Sequence, residues 1–295
     1  MLKKLIKKIK NKELKKYILW KFSYKNIKVY LKRALFKLKY FHLLLNDSPF
    51  VPIKSQHGKI VINLNDIYIS SQIIENGNWE MDEINFLKSL LIKCREKYGN
   101  GVVALDCGAN LGVHTLEFSK LMKGWGEVYS FEPQEPIFNA LRQTMSINKC
   151  ENVNSYNLAL GERDGFVEVP LLDYRKKLNF GGLELSESNK VSKIDNLHIK
   201  TSETYKVKLR TIDSFKFSRV DLVKIDVEGM ELEVLKGSQK MLLSMKPIIF
   251  YENTKSNSSE LKNFLEINNY VVVKEINKNS VAINRGSKIN SYFVN

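Results

Sequence analysis

The chain has 295 residues, 43% of them hydrophobic, so it can bury one sizeable core, and its length permits one or two domains. Its formal net charge is +15, and its three cysteines form no CxxC pair, which argues against a disulfide framework and a structural zinc site. No run approaches the roughly 20 apolar residues that cross a bilayer, and lysines interrupt the apolar stretch that a signal peptide requires. The composition therefore predicts a protein of the cytoplasm.

Most of the excess charge lies at the N-terminus, because residues 1–45 hold 15 of the 47 lysines and arginines and a single acid, Glu13. Their apolar side chains recur at helical spacing with lysines on the opposite face, which predicts a basic amphipathic helical arm. Such an arm can lie on an anionic membrane, pack on its own domain or another subunit, or bind nucleic acid. Phosphate binding alone needs no apolar stripe, so we favour peripheral attachment to the inner membrane face over nucleic acid.

Residues 46–58 contain Pro49 and Pro52 and are typical of a linker, so the folded domain is predicted to span residues 59–295. Within it, strands are predicted at residues 59–64, 102–105, 127–131, 153–157, 222–225, 247–251, 270–274 and 280–283. Helices are predicted at residues 81–97, 112–122, 135–148, 231–243 and 259–268.

The alternation of these elements predicts an α/β fold with a mostly parallel sheet and helices on both faces. The short turn at residues 275–279 requires that the last two strands form an antiparallel hairpin, so one strand is reversed. Residues 174–205 are polar and rich in Lys, Ser and Asn, and are either a substrate lid or a plain loop.

The run VVALDCGANLGVHT, residues 102–115, is the most informative motif. A buried strand ends in Asp106, and Gly108 and Gly112 let the following turn approach a ligand before a helix begins. The spacing is D-x-G-x-N-x-G rather than the dinucleotide fingerprint G-x-G-x-x-G, and Asn110 at the middle position tolerates a left-handed backbone. The motif resembles motif I of S-adenosylmethionine-dependent methyltransferases.

Further carboxylates end the neighbouring strands. Glu132 closes the second strand of the core, where an acid can accept hydrogen bonds from both hydroxyls of a ribose. Asp226, Glu228 and Glu252 end the next two strands and form a polar pocket floor. They could hold a hydroxylated acceptor, serve as a general base or bind a divalent ion, and one of the first two could instead cap the following helix.

The chain resembles the FkbM family of S-adenosylmethionine-dependent methyltransferases over about residues 66–255. The resemblance is carried by an ordered set of motifs: VVALDCGANLGVHT, SFEP, NLALGE, LRTIDSF, VKIDVEGMELEVLKG and IIFYE. Upstream, Asn78-Trp79-Glu80 resembles the family's segment of an aromatic residue followed by a glutamate. The resemblance implies a Rossmann-like fold and methyl transfer, usually to a hydroxyl oxygen of a sugar or polyketide-like acceptor.

Carried onto matching positions, the resemblance implies two sets of site residues. The implied cofactor-binding residues are Glu80, Asp106, Gly108, Asn110, Gly112, Glu132, Asn157 and Ala159, with Glu132 on the ribose and Asn157 and Ala159 near the adenine. The residues implied near the transferred methyl are Asp226, Glu228 and Glu252.

A sulfonium methyl is already activated, so the protein mainly has to align the acceptor, and a base adds a further gain. Asp226 is the first candidate for this base. His114, near the start of the helix after motif I, is the second, although it could equally fill the packing between helix and sheet.

The sequence thus predicts an O-methyltransferase acting on a sugar or on a glycan or lipid-linked carbohydrate. One alternative is an RNA methyltransferase with a basic tether, although IDVEG lacks the Pro-Pro-aromatic run typical of base-amino methylators. The other is a non-catalytic membrane-associated protein that retains the fold.

Overall fold

The computed structural model describes residue 35 and residues 48–185, 193–194, 197–198, 203–253 and 258–292. The predicted helical arm, residues 1–45, lies outside the described residues except for residue 35. Among the described residues, no helix is long and apolar enough to cross a membrane.

The strands are β1 Phe50–Ser55, β2 Gly58–Asn63, β3 Val102–Cys107, β4 Gly126–Phe131, β5 Val153–Tyr156, β6 Ala159–Leu160, β7 Gly165–Pro170, β8 Leu183–Glu184, β9 Lys193–Ile194, β10 Leu197–His198, β11 Thr204–Arg210, β12 Leu222–Ile225, β13 Ile248–Glu252, β14 Tyr270–Ile276 and β15 Asn279–Asn284. The helices are α1 Ile69–Asn76, α2 Met81–Tyr98, α3 Val113–Met122, α4 Glu135–Ile147, α5 Glu231–Lys236, α6 Gln239–Met245 and α7 Ser258–Ile267, and short 3-10 helices lie at Phe180–Gly182, Ile212–Phe215 and Asn290–Tyr292.

Seven strands form the central sheet in the order β14-β15-β13-β12-β3-β4-β5. All neighbours pair in parallel except β15, which runs antiparallel to both β13 and β14. Alternate residues of β3 face opposite layers, with Ala104 packed among α2 and α3 and Leu105 packed among α5, α6 and α7. The predicted α/β architecture with one reversed strand is confirmed.

The predicted linker is wrong from residue 50 onward, because β1 pairs with β2 along its whole length as an antiparallel hairpin. Val51 and Ile53 alternate into the core, and the two prolines concealed this short alternation. Pro52 is tolerated because β1 is the edge of a two-stranded sheet. The hairpin binds α4 through a 3.0 Å hydrogen bond from the Val61 amide to Thr144 Oγ1.

The predicted helix at residues 231–243 is instead two helices, α5 and α6, that meet at Gly237. A Cβ at Gly237 would lie 2.0 Å from the carbonyl oxygen of Gly161, so two backbones touch there. The Gly237 carbonyl also accepts a 3.1 Å hydrogen bond from the Asp213 amide. These contacts come from distant parts of the chain, which explains why the local pattern did not reveal the break.

Candidate active site

A cavity of about 430 Å³ lies at the carboxyl ends of β3, β4, β12 and β13. This is the edge at which open α/β sheets bind ligands. Nine of the twelve site residues expected from the sequence line it: Glu80, Gly108, Asn110, His114, Glu132, Ala159, Asp226, Glu228 and Glu252. Asp106, Gly112 and Asn157 lie behind this lining.

The turn after β3 has a left-handed backbone at several positions. Gly108 has φ +79°, and a Cβ there would lie 1.8 Å from the carbonyl oxygen of Asp226. Asn110 has φ +48°, in keeping with the tolerance expected of asparagine. Gly112, with φ +82°, packs against Leu141 and Met145 of α4. Gly108 therefore permits close approach of the ends of β3 and β12, while Gly112 permits packing of a helix.

Glu132 is 4% exposed and holds the turn in place. Its Oε2 accepts a 3.0 Å hydrogen bond from the Asn110 amide, and its Oε1 accepts a 2.9 Å hydrogen bond from the Gln134 amide. Burial raises the pKa of Glu132 to about 7, although these two amides oppose the shift. A carboxylate offers roughly four lone pairs, so Glu132 retains acceptor capacity for a ligand.

Asn157 acts behind the lining, on the backbone that carries Glu132. Its Nδ2 donates hydrogen bonds to the carbonyl oxygens of Glu132, at 2.9 Å, and Pro133, at 3.0 Å. The residue expected near the adenine thus orients the wall of the cavity from behind.

Lys224, which was not among the predicted site residues, lies between Asp106 of motif I and Asp226 at the end of β12. Lys224 Nζ lies 3.3 Å from Asp106 Oδ1 and 3.4 Å from Asp226 Oδ2. Asp106 is fully buried and also accepts a 2.6 Å hydrogen bond from Thr115 Oγ1. Burial alone would lower the pKa of Lys224, but the carboxylates of Asp106, Asp226 and Glu80 raise it above its ordinary value. The available signal was a charged residue inside LVKI, a strand buried at all four positions.

His114 lies where motif I meets the segment around Glu80. Burial and then the Lys224 ammonium lower the pKa of His114 well below its ordinary value, so the ring is neutral. Its Nε2 is buried without a hydrogen-bond partner among the described residues, and the carboxylate oxygen Glu80 Oε2 is 3.8 Å away. The ring also packs edge-on against Phe118. His114 therefore packs against Phe118 and also presents a neutral imidazole to the cavity.

Glu80 has a left-handed backbone, with φ +45°, and burial, reinforced by Asp226 and Glu83, raises its pKa to about 8. Its position depends on the preceding residue, since the Trp79 amide donates a 2.9 Å hydrogen bond to Nε2 of the buried His57. His57 lies in the β1–β2 turn, so the unexpected hairpin places Glu80 at the cavity.

The second ring nitrogen of His57 also has a partner. Nδ1 of His57 lies 3.3 Å from Glu117 Oε1, and Lys88 Nζ lies 2.8 Å from Glu117 Oε2. Burial would raise the pKa of Glu117, but these contacts lower it to about 2. A charged network behind the cavity thus ties the hairpin to α2 and α3.

Glu231 shapes the loop that follows β12. This fully buried side chain accepts hydrogen bonds through Oε1 from the amides of Val227, at 3.3 Å, and Gly229, at 3.1 Å. Glu228 between them has φ +55°. Glu231 therefore fixes the loop that presents Asp226 and Glu228 to the cavity.

The described part of the polar excursion at residues 174–205 forms one wall of the cavity. Gly181 and Leu183 line it, and the Phe180 carbonyl accepts a 2.9 Å hydrogen bond from Gln134 Nε2. Tyr174 donates a 3.0 Å hydrogen bond from its hydroxyl to Gln134 Oε1. These contacts hold the start of the excursion against the loop after β4.

The sheet order, the single reversed strand and the cavity at the carboxyl ends of β3, β4 and β12 define a protein of the Rossmann-like methyltransferase class. The methyltransferase FkbM domain model matches residues 106–280, more than half of the chain. The chain therefore belongs to the FkbM methyltransferase family, as the resemblance of its motifs implied.

Individual relatives are more distant. The chain is 25% identical over 144 residues to a protein of Beauveria bassiana (strain ARSEF 2860) described as "Methyltransferase 1", and the match covers 45% of this chain and 57% of that relative. It is similar to a solved FkbM methyltransferase of Methylobacillus flagellatus KT, with 19% identity and a TM-score of 0.41. This match covers 62% of this chain and 43% of the solved chain. It is also similar to magnesium protoporphyrin IX methyltransferase of Synechocystis PCC 6803, which was solved with bound S-adenosylmethionine. The identity is 9% and the TM-score 0.41, and the match covers 74% of this chain and 85% of the solved chain.

Proposed function

We propose that the protein is an S-adenosylmethionine-dependent O-methyltransferase whose acceptor is a hydroxyl group of a sugar or glycan. The observation that carries the proposal is the buried carboxylate of Glu132 at the end of β4, which lines the cavity beside the Gly108 turn. A carboxylate at this position suits the two hydroxyls of a ribose.

The residues present fit this cofactor. Glu132 would hold the ribose, and Leu158, Ala159 and Leu160 line the cavity as an apolar surface for the adenine. The Gly108 and Asn110 turn would face the methionine part. When bound, S-adenosylmethionine supplies an activated methyl group on a sulfonium.

Catalysis then requires the chain to position a hydroxyl and to accept its proton. Asp226 lines the cavity at the end of β12, and its Oδ2 is oriented by Lys224 at 3.4 Å. In the proposed mechanism, Asp226 accepts the hydroxyl proton. The neutral imidazole of His114 stands as the second acceptor, because its Nε2 is unpartnered among the described residues. General base catalysis of this kind contributes about 10²- to 10⁴-fold to the rate.

Substitutions at Glu132 and Asp226 should separate binding from transfer. Glu132→Ala should weaken binding of S-adenosylmethionine and S-adenosylhomocysteine about tenfold or more, because charge-assisted hydrogen bonds to the ribose are lost. Asp226→Asn should retain that affinity and slow transfer about 100-fold or more. Calorimetric titration of the full chain measures the first effect, and single-turnover transfer measures the second.

The pH dependence of binding provides a check on the same assignment. Since the pKa of Glu132 is about 7, its ionised form predominates above that pH, and cofactor affinity should fall as the pH drops from 8 to 6. Glu132→Ala should remove the component of this dependence centred near pH 7, whereas a component from Glu80, whose pKa is about 8, should remain. Equal loss of cofactor affinity in Glu132→Ala and Asp226→Asn would contradict the assignment of Glu132 to binding and Asp226 to transfer. No cofactor binding by the unaltered chain would contradict the proposed function.

The proposed place of action is the cytoplasmic face of an anionic membrane, reached through residues 1–45. The composition of that segment supports the proposal, because each basic residue near such a surface contributes about 1 kcal/mol. The full chain should cosediment with vesicles containing phosphatidylglycerol and be released by 1 M salt, at which the Debye length is about 3 Å. Lys7→Glu with Lys8→Glu should weaken binding, whereas Lys97→Glu with Lys123→Glu, in the folded domain, should not. Equal binding to uncharged vesicles would reject the proposal.

A further inference from the structure

We propose that the acceptor reaches the cavity through a polar groove beside α2, and that it carries an amino group rather than a phosphate or carboxylate group. This inference rests on the proposed function and names the chemistry of its acceptor. The groove, here called the acceptor groove, is lined by Asn78, Glu80, Met81, Asp82, Glu83 and Asn277.

The acceptor groove is continuous with the cavity. It has a volume of about 480 Å³, and it shares Glu80, Glu83 and Asn277 with the cavity lining. A ligand that occupies the groove therefore extends to the carboxyl ends of β3 and β12, where Asp226 and His114 lie.

Most of the ionisable side chains along this path are acidic. Among the described residues, the lining of the groove contains three carboxyl groups and two carboxamides but no lysine or arginine. Further inward, Glu228 and Glu252 add two carboxyl groups to the cavity. Of the two lysines that line the cavity in the part of the chain that the structure describes, Lys224 lies between Asp106 and Asp226, and the other is Lys278. Burial raises the pKa of Glu80 to about 8 and also raises the pKa of Glu83, so an ammonium group beside them would favour their ionised forms. An anionic acceptor would instead oppose their ionisation and would face the carboxylate of Asp82.

Hydrogen bonding reinforces this preference. Glu83 is 4% exposed, and it accepts Nδ2–H hydrogen bonds from Asn277, at 2.7 Å, and Asn279, at 2.9 Å. Each asparagine uses one N–H of its Nδ2 in this way, and its Oδ1 is an acceptor. A path of carboxylates and amide oxygens suits a ligand rich in donors, and an ammonium group supplies three.

An independent observation marks where the ligand ends. Nε2 of His114 is buried, lines the cavity and has no hydrogen-bond partner among the described residues. It lies 3.8 Å from Glu80 Oε2, where groove and cavity meet. Buried polar atoms are normally satisfied, so a polar group of the acceptor at this junction would complete the site.

The test compares three probes on one pyranose ring: glucosamine, glucose and glucose 6-phosphate. Each is titrated calorimetrically into the full chain saturated with S-adenosylhomocysteine. Glucosamine should bind about tenfold more tightly than glucose, and glucose 6-phosphate should bind more weakly than glucose. Equal affinities, the reverse order or no binding by any probe would overturn the proposal.

Two substitutions on α2 locate the effect. Asp82→Asn removes an exposed charge from the acceptor groove and should lower glucosamine affinity about threefold or more. Glu96→Gln makes the matched change 14 residues further along the same helix, about 21 Å away, and should leave that affinity unchanged. Equal effects of the two substitutions would also overturn the proposal.

S-adenosylhomocysteine binding distinguishes failure of the acceptor-groove proposal from failure of the proposed function. If the full chain binds it but the probes do not discriminate by charge, the acceptor groove fails and the proposed function stands. If the full chain does not bind it, the proposed function itself fails.

Discussion

Replacing Gly108 with alanine should unfold or strongly destabilise the domain, whereas the same replacement at Gly124 should be tolerated. A Cβ at Gly108 would lie 1.8 Å from the carbonyl oxygen of Asp226, with no flexible side chain to move aside. Gly124 has φ +80°, nearly the same as the +79° of Gly108, but no atom lies within 4 Å of its Cβ position. Both variants incur the left-handed backbone cost of about 1–2 kcal/mol, and only Gly108→Ala adds the overlap.

Urea denaturation of both variants measures this difference. We expect Gly108→Ala to lose about 1–3 kcal/mol more than Gly124→Ala, because only Gly108→Ala adds a steric overlap to the backbone cost that both variants share. Any folded Gly108→Ala protein should have lost S-adenosylhomocysteine binding, because the end of β12 must move away from the turn. Gly77→Ala, with φ +80°, ψ 0° and only ordinary contacts from the Gln56 side chain, is a second control. Equal destabilisation at the three positions would show that the close contact at Gly108 has no energetic weight.

The sequence was informative where local chemistry determines position. Asp226 and Glu132 follow buried strands, and parallel strands bring their carboxyl ends to one edge, so their meeting at the cavity followed from strand order. The reversed strand β15 followed from the short turn before it. These features depend on contacts between neighbours along the chain or on the general geometry of parallel sheets.

The features that the sequence did not reveal depend on distant partners. Glu83 at the cavity accepts hydrogen bonds from Asn277 and Asn279, which lie almost 200 residues away in the sequence. The His57 bond that positions Trp79 requires the β1–β2 hairpin, which two prolines had concealed. Neither contact has a signature within a window of sequence.

Asp106 illustrates how position and role can differ. It ends β3 as expected, yet it lies behind the cavity lining, bound by Thr115 and Lys224. The motif therefore indicated the right strand end, while the packing of α3 and β12 determined which atoms face the cavity.

Replacing Lys224 with methionine should produce the largest loss among the charged residues of the site. The ammonium lies between Asp106 and Asp226, and Asp106 is fully buried. Removing one partner of a buried ion pair costs about 3–5 kcal/mol, because it leaves an uncompensated charge in the interior. Lys240→Met, at an exposed position on α6, should change stability by less than about 0.5 kcal/mol.

A double substitution distinguishes lost charge balance from lost packing. Asp106→Asn in the Lys224→Met background removes the unpaired carboxylate, so the double variant should be more stable than Lys224→Met alone. Urea denaturation of the unaltered chain, both single variants and the double variant gives the coupling free energy. Additive losses would mean that the two side chains do not stabilise the fold through their charges.

The pH dependence of Lys224→Met follows from the sign of the shift. The pKa of Lys224 is raised above its ordinary value of 10.5, so its stabilising contribution is fully present below that value and is lost only as the pH rises through the higher folded-state pKa. The Lys224 ammonium itself should therefore cause no change in stability between pH 6 and 9. Transfer should respond differently, because Lys224 orients Asp226 and lowers the pKa of His114. In any folded Lys224→Met protein, the acid limb of the pH profile of the transfer rate should therefore shift to higher pH. If Lys224 contributed only to packing, the substitution would not shift this limb.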